Sequence, residues 1–324
     1  MSAGFPEGLK GMAEVINRVL EGILAEDRDL LGEISLYGLY GGGKRLRPAV
    51  FLLSWELLGG EPGERALRGA SMFEIVHMAS LIHDDIVDDA DTRRGREAAH
   101  LRFGIPEAVL AGDYLVAKAA RLCLEWGSLE LYALLTEVIR DLSYGELYQL
   151  QARRDAGLTR EGYHGVISRK TASLLASAAE SPAIVLSAPP GARLAMRRYG
   201  NAYGMSFQIA DDVLDYRGEA AALGKPVLKD LDEGRVTLPL ILARDALPPD
   251  RAARLRALAS LPARTPEEKA EVLSLVDEGQ GIERARAEAA EWARQAVEAI
   301  AALPSCEAAE TLRALALHNA ERES

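Results

Sequence analysis

The chain has 324 residues, 48% of them hydrophobic, and a formal net charge of −11. It can bury a large core, and an acidic chain without a basic stripe excludes general nucleic-acid binding. Two cysteines, Cys123 and Cys306, are too few for a disulfide framework, Glu7, Lys10 and Glu14 interrupt any signal-peptide plan, and no uncharged apolar run reaches the ~18 residues of a membrane span; the expectation is a soluble, cytoplasmic protein.

Alanine, leucine, glutamate and arginine dominate and β-branched alternation is nearly absent, so helical periodicity runs almost throughout. It predicts helices over 8–26, 45–59, 63–89, 105–126, 128–154, 159–180, 190–216, 235–246, 250–260, 266–278, 281–302 and 306–321. Thr159-Arg160-Glu161 and Thr265-Pro266-Glu267-Glu268 are start signals. The proline pairs at 189–190 and 248–249 read as loops between helices, and neither a linker nor a fixed-period repeat divides the chain. The expected architecture is all-α, a helical bundle forming a single domain over 1–324, with its ligand site between facing helices. The last quarter carries no recognisable chemistry.

Two aspartate clusters stand out: His83-Asp84-Asp85-Ile86-Val87-Asp88-Asp89 and Ala210-Asp211-Asp212-Val213-Leu214-Asp215. Each has the spacing D-D-x-x-D at the end of an apolar helical stretch. Aspartates at i, i+1 and i+4 fall within an arc of about 100° on one helix face. Like charges at i, i+4 cost a helix roughly 0.2–0.5 kcal/mol per pair, and hard divalent cations offset that cost. One such cluster reads most simply as a solvated helix end; two with identical spacing point to metal.

Counted back from Asp84, His77 lies about 20°, Ser80 about 40° and Leu81 about 60° away on the helix circle, one or two turns deeper. His77 alone is as readily a core histidine as a ligand. Gly200, Gly204 and Gln208 lie near the face of Asp211 and Asp215, where the glycines serve either a ligand or close helix packing. The cations are grouped as well. Gly41-Gly42-Gly43-Lys44-Arg45-Leu46-Arg47-Pro48 is a glycine-rich basic turn, Arg93-Arg94-Gly95 follows the first cluster, and Lys170-Thr171 interrupts an Ala/Ser/Leu helix. Gly224-Lys225-Pro226 and Glu233-Gly234-Arg235 follow the second cluster. Lysine and arginine beside carboxylates fit a diphosphate bridged by metal.

Taken in order, G-G-K-R-L-R-P, H-D-D-I-V-D-D-A-D-T-R-R-G, K-T, F-Q-I-A-D-D-V-L-D, G-K-P and E-G-R-V-T-L-P-L resemble the trans-isoprenyl diphosphate synthases over roughly residues 35–245. The resemblance implies the all-α isoprenoid synthase bundle with a central cavity, a homodimer, and Mg²⁺-dependent elongation of an allylic diphosphate by isopentenyl diphosphate. It implies that Asp84, Asp85, Asp88, Asp211, Asp212 and Asp215 hold three Mg²⁺ ions. Arg93, Lys170, Lys225 and Arg235 would meet the allylic diphosphate, and Lys44, Arg47, His77 and Arg94 isopentenyl diphosphate. Thr171 and Gln208 would face the developing carbocation. Leu228 and Lys229 depart from the family, which often has glycine and a small or acidic residue there, and Arg235 stands where lysine is common.

In that family bulky aromatics four or five residues before the first motif give short products. Ala79 and Ser80 are small, which predicts a product longer than geranylgeranyl diphosphate, of quinone side-chain size, with a farnesyl- or geranylgeranyl-type synthase as the alternative. Tyr144, Leu147 and Tyr148 are candidates for the tunnel floor. A class I terpene cyclase and a subunit of a heteromeric synthase remain further alternatives. Lys44, Arg47 and His77 argue against the first, and retention of all six aspartates argues against the second.

Overall fold

The computed structural model describes residues 7–217 and 227–320. Its helices are α1 (Glu7–Leu24), α2 (Leu30–Leu39), α3 (Leu46–Leu57), α4 (Glu64–Val87), α5 (Ala99–Phe103), α6 (Ile105–Leu124), α7 (Leu129–Gln151), α8 (Arg160–Ile167), α9 (Ser173–Val185) and α10 (Pro190–Tyr216). They continue with α11 (Lys229–Asp232), α12 (Leu238–Ala246), α13 (Pro249–Ala259), α14 (Pro266–Glu278), α15 (Gly281–Ala299) and α16 (Glu307–Ala320). Among the described residues the only strands are the hairpin β1 (Thr92–Arg93) and β2 (Arg96–Glu97). The fold is the all-α bundle the composition predicts.

Local chemistry accounts for many boundaries. Pro190, Pro249 and Pro266 each begin a helix, where proline's missing N–H is not needed. Thr265 and Glu268 form a capping box, and the side chains of Ser128 and Thr159 accept N–H groups from the first turns of α7 and α8. Arg94 and Gly95 both take positive φ (52° and 77°), the two-residue turn whose twist suits a hairpin.

Three differences from the sequence expectation matter. Helix α2 was not predicted; its run Leu-Leu-Gly-Glu-Ile-Ser-Leu-Tyr-Gly-Leu has weak amphipathic contrast, and an Asp29 cap on Gly32 N–H (3.1 Å) starts it. The helix expected over 159–180 continues to Val185 through Pro182, because Leu174–Ala183 is buried and packing overrides the missing donor. It is also broken by one π-turn, Ser168–Ala172, between α8 and α9.

Helix α4 packs on α6 and α3, with apolar residues from α1, α6 and α7 completing one core. Helix α10 packs on α9 and α15, and further cores lie under α12–α14 and under α3 and α16. The acidic ends of α4 and α10 meet across a cavity of about 580 Å³. Among the described residues no helix is long and apolar enough to cross a membrane.

Candidate active site

The cavity is lined by Asp84 from α4 and Asp88 at its C-cap, Asp211 and Asp212 from α10, and Lys170 and Thr171 from the π-turn, with Lys44, Arg47, His77, Ser80, Arg93, Arg94, Gln208 and Arg235 around them. A π-turn inserts an extra residue into a helix and occurs often at functional sites. Here it is held between two glycines. A Cβ on Gly145 would lie 2.8 Å from Lys170 N, and one on Gly204 would lie 2.5 Å from Ala172 Cα. A Cβ on Gly200 would lie 2.5 Å from Leu175 O, so Gly200 and Gly204 serve close helix packing.

Asp84, Asp85 and Asp88 of the first cluster are each engaged by cations. Asp84 lies 3.4 Å from Lys170 Nζ, which also pairs with Glu146. Burial raises Asp84 to about 6, with Lys170 opposing and Glu146 and Asp88 adding to the rise. Asp85 is buried off the cavity and accepts from Arg93 Nε at 2.7 Å. Asp88 accepts from Arg153 on one oxygen and from Arg235 NH1 at 3.4 Å on the other.

In the second cluster, Asp212 is buried, accepting from Tyr163 OH at 2.6 Å and from Gln208 Nε2 at 2.8 Å. Burial and neighbouring Asp230 push its carboxyl well above the usual range. Gln208 Oε1 in turn accepts from Thr171 Oγ1 at 2.7 Å. The hydroxyl proton of Thr171 is thereby committed to Gln208, leaving its oxygen lone pairs for the cavity. Asp215 accepts the backbone N–H groups of Lys229 (2.9 Å) and Asp230 (3.0 Å), and burial with Asp230 raises it to about 6.

Those backbone bonds account for the Leu228-Lys229 departure. Leu228 has a left-handed φ of 58°, where glycine is unstrained, but its side chain is fully buried in the apolar cluster beneath α12. Lys229 serves Asp215 through its amide, while its side chain lines the cavity and lies 3.4 Å from Glu233 Oε1. Lys225 lies outside the described residues.

The second cationic wall is built around Arg45, one of the cations of the glycine-rich turn and the one with no expected ligand role. It is buried at φ 51° and donates to Asn17 Oδ1 (2.7 Å), Glu74 Oε1 (2.7 Å) and Leu39 O (2.9 Å). This strap ties α1, α2, α3 and α4 together, and Lys44 and Arg47 on either side of it line the cavity. Burial lowers Arg47, and its Nε has no hydrogen-bond partner. Burial, together with Arg47, Arg94, Arg93 and Arg45, holds His77 neutral, well below the ordinary imidazole range. Gly43 lets Arg94 approach, since a Cβ there would sit 2.8 Å from its NH1.

Other expectations are redrawn. Ala79 is fully buried in the α4 core and does not line the cavity, whereas Ser80 does. Tyr144, Leu147 and Tyr148 are exposed on the outer side of α7; Leu142, Glu146 and Gln149 are the α7 residues facing the cavity. Glu146, Arg153, Tyr163 and Asp230 join the site without having been predicted. Tyr163 precedes Lys170 by seven residues, two helical turns, and that spacing was the available signal.

Hard carboxylate oxygens suit Mg²⁺ or Ca²⁺, and the facing cations suit phosphate. Among the described residues, no three His, Cys, Asp or Glu side chains converge closely enough to hold an ion by themselves. The geometry suits a pocket for polyanions, with carboxylates from the ends of two helices, cations beside them, and apolar residues such as Leu142, Ile167 and Phe207 in the remaining lining.

The polyprenyl synthetase family model matches residues 28–276. Octaprenyl diphosphate synthase of Haemophilus influenzae is 36% identical over 310 residues, covering 95% of this chain and 94% of that protein. A short chain isoprenyl diphosphate synthase of Methanothermobacter thermautotrophicus is 35% identical over 94% of each. The crystal structure of a polyprenyl synthase from Caulobacter crescentus, complexed with calcium and isoprenyl diphosphate, superposes with a TM-score of 0.90 at 32% identity and covers 100% of both chains. The chain belongs to the polyprenyl synthetase family. It is a prenyltransferase, a trans-prenyl diphosphate synthase.

Proposed function

We propose that this enzyme joins isopentenyl diphosphate to an allylic diphosphate, farnesyl or shorter, with Mg²⁺, and extends it past geranylgeranyl length to an all-trans chain of quinone side-chain size. The observation that carries the reading is the pair of cationic walls in one cavity: Lys170, Arg93 and Arg235 beside the aspartates, and Lys44, Arg47, Arg94 and neutral His77 opposite. Two such walls suit two diphosphates. Asp84, Asp88 and Asp211 would hold the metal. Asp85 and Asp215, which do not line the cavity, and Asp212, which lines it but accepts from Tyr163 and Gln208, serve as anchors. Bound Mg²⁺ supplies Lewis-acid stabilisation of the leaving group. The resemblance implies three ions, and the calcium in the Caulobacter structure supports a divalent site.

Lys170, Arg93 and Arg235 then draw charge from the departing diphosphate, which takes the electron pair of the allylic C–O bond. The lone pairs of Thr171 face the carbocation that remains. Lys44, Arg47, Arg94 and the N–H of His77 hold isopentenyl diphosphate so that its double bond attacks that cation. A proton leaves to the released diphosphate, and the product is an allylic diphosphate one isoprene unit longer.

Small Ser80, about 6 Å below Asp84 along the helix, lines the cavity together with Leu142, and its size supports growth of a longer chain. The octaprenyl relative supports the long-chain reading; the short-chain relative favours a second reading with a farnesyl or geranylgeranyl product. Mass analysis of product made from farnesyl and isopentenyl diphosphates separates them. Long-chain synthesis predicts that Ser80→Phe shortens the product while sparing turnover, and a wild-type product ending at geranylgeranyl contradicts it.

The working form is proposed to be a homodimer. Among the described residues, eight of the fourteen large exposed apolar side chains belong to α6 and α7, including Ile105, Leu110, Leu124, Leu129 and Tyr144. Such a concentration fits a protein contact.

A further inference from the structure

Arg153 has no role in the functional reading above, yet it grips the aspartate at the centre of it. It follows α7 directly, and its guanidinium donates to Asp88 Oδ1. Arg235 holds the other oxygen of Asp88. The two arginines sit on turns clipped to each other: Arg154 N–H donates to Gly234 O at 2.8 Å, and Arg154 adopts a left-handed φ of 61° to do so. They form a two-armed clasp over one carboxylate.

The arms differ in what they can do when Asp88 is taken. Arg235 also pairs with Asp230 (2.7 Å) and with Glu233, so it can release Asp88 and stay neutralised. Asp88 is the one carboxylate that Arg153 meets among the described residues, and its buried Nε has no hydrogen-bond partner. A cation bound by Asp88 strips Arg153 of its counter-ion, next to Ala152 and Asp88 of the cavity proposed to take diphosphate. A half-buried guanidinium left without a partner is costly, and phosphate oxygens match its fork.

We propose that Arg153 is a metal-gated diphosphate ligand: it blocks Asp88 in the metal-free enzyme and turns to the allylic diphosphate once metal has displaced it. The inference rests on the proposed metal and diphosphate sites. Metal and diphosphate then bind cooperatively, because each frees the other's partner.

The test uses Mn²⁺ alone, followed by electron paramagnetic resonance, and inorganic pyrophosphate at saturating Mg²⁺, followed by calorimetry. Arg153→Gln removes a competitor from Asp88 and a ligand from the diphosphate. The expected result is Mn²⁺ binding about threefold or more tighter and pyrophosphate binding about tenfold weaker, changes of opposite sign. Arg153→Lys, which keeps the charge without the fork, should fall between. A merely structural Arg153 would weaken both constants in the Gln variant, and that result, or no change in either, overturns the proposal. If the wild type binds neither probe, the proposed function itself fails; if it binds both and Arg153→Gln matches it, only the role of Arg153 fails.

Discussion

At the scale of single residues, the site is governed by what each carboxylate oxygen meets. Asp84 and Asp215 are raised to about 6 from an ordinary 3.8, chiefly by burial. The fold thus favours their neutral forms: their contribution to stability is fully present below the unfolded value and is lost as pH rises through about 6. Metal at Asp84 needs its ionised form, and protonation there costs about tenfold in apparent affinity per pH unit below about 6. The gain in melting temperature from Mg²⁺ with pyrophosphate should therefore be small near pH 5 and complete above about pH 7 by scanning calorimetry; a gain independent of pH contradicts this. The aspartates themselves were legible in the sequence, because D-D-x-x-D is a local pattern. Arg153 and Glu146 were not, since their value comes from Asp88 and Lys170, 65 and 24 residues away. Tyr163 was half legible: its spacing to Lys170 matches two turns, but the intervening π-turn shifts the phase that such counting relies on.

At the scale of elements, the π-turn is the part most sensitive to its surroundings. It aims Lys170 and Thr171 into the cavity, and its backbone lies where Gly145 and Gly204 allow no Cβ. Gly204→Ala would place a methyl 2.5 Å from Ala172 Cα and 2.9 Å from its Cβ, contacts that backbone cannot yield cheaply. Overpacking of this kind costs about 1–3 kcal/mol, to be read from denaturant unfolding. Turnover should fall with it, as Thr171 moves off Gln208; an unchanged unfolding midpoint would show that the turn tolerates displacement. The sequence left those glycines divided between ligand space and packing, because both give the same pattern on α10. Only the position of the neighbouring helix separates them. Helix α2 escaped for the opposite reason: its stability comes from a cap and from packing, not from a periodic apolar stripe.

At the scale of the whole molecule, α4 and α10 belong mainly to different cores and bring their acidic ends together over one cavity. The bundle class followed from composition and period, while the meeting of Arg153 and Arg235 on Asp88 depends on contacts remote in sequence. The exposed apolar side chains of α6 and α7 predict that sedimentation gives a particle of twice the 35.0 kDa chain mass, and that Leu110→Asp with Leu124→Asp shifts it toward monomer. The joining of two diphosphates in this cavity is tested most directly by supplying radiolabelled isopentenyl diphosphate with farnesyl diphosphate and Mg²⁺, then repeating the assay after chelation. The account predicts label incorporated into a longer allylic diphosphate, lost on chelation and restored by Mg²⁺. Unconsumed isopentenyl diphosphate, with farnesyl diphosphate converted to a cyclic hydrocarbon or left intact, would contradict it.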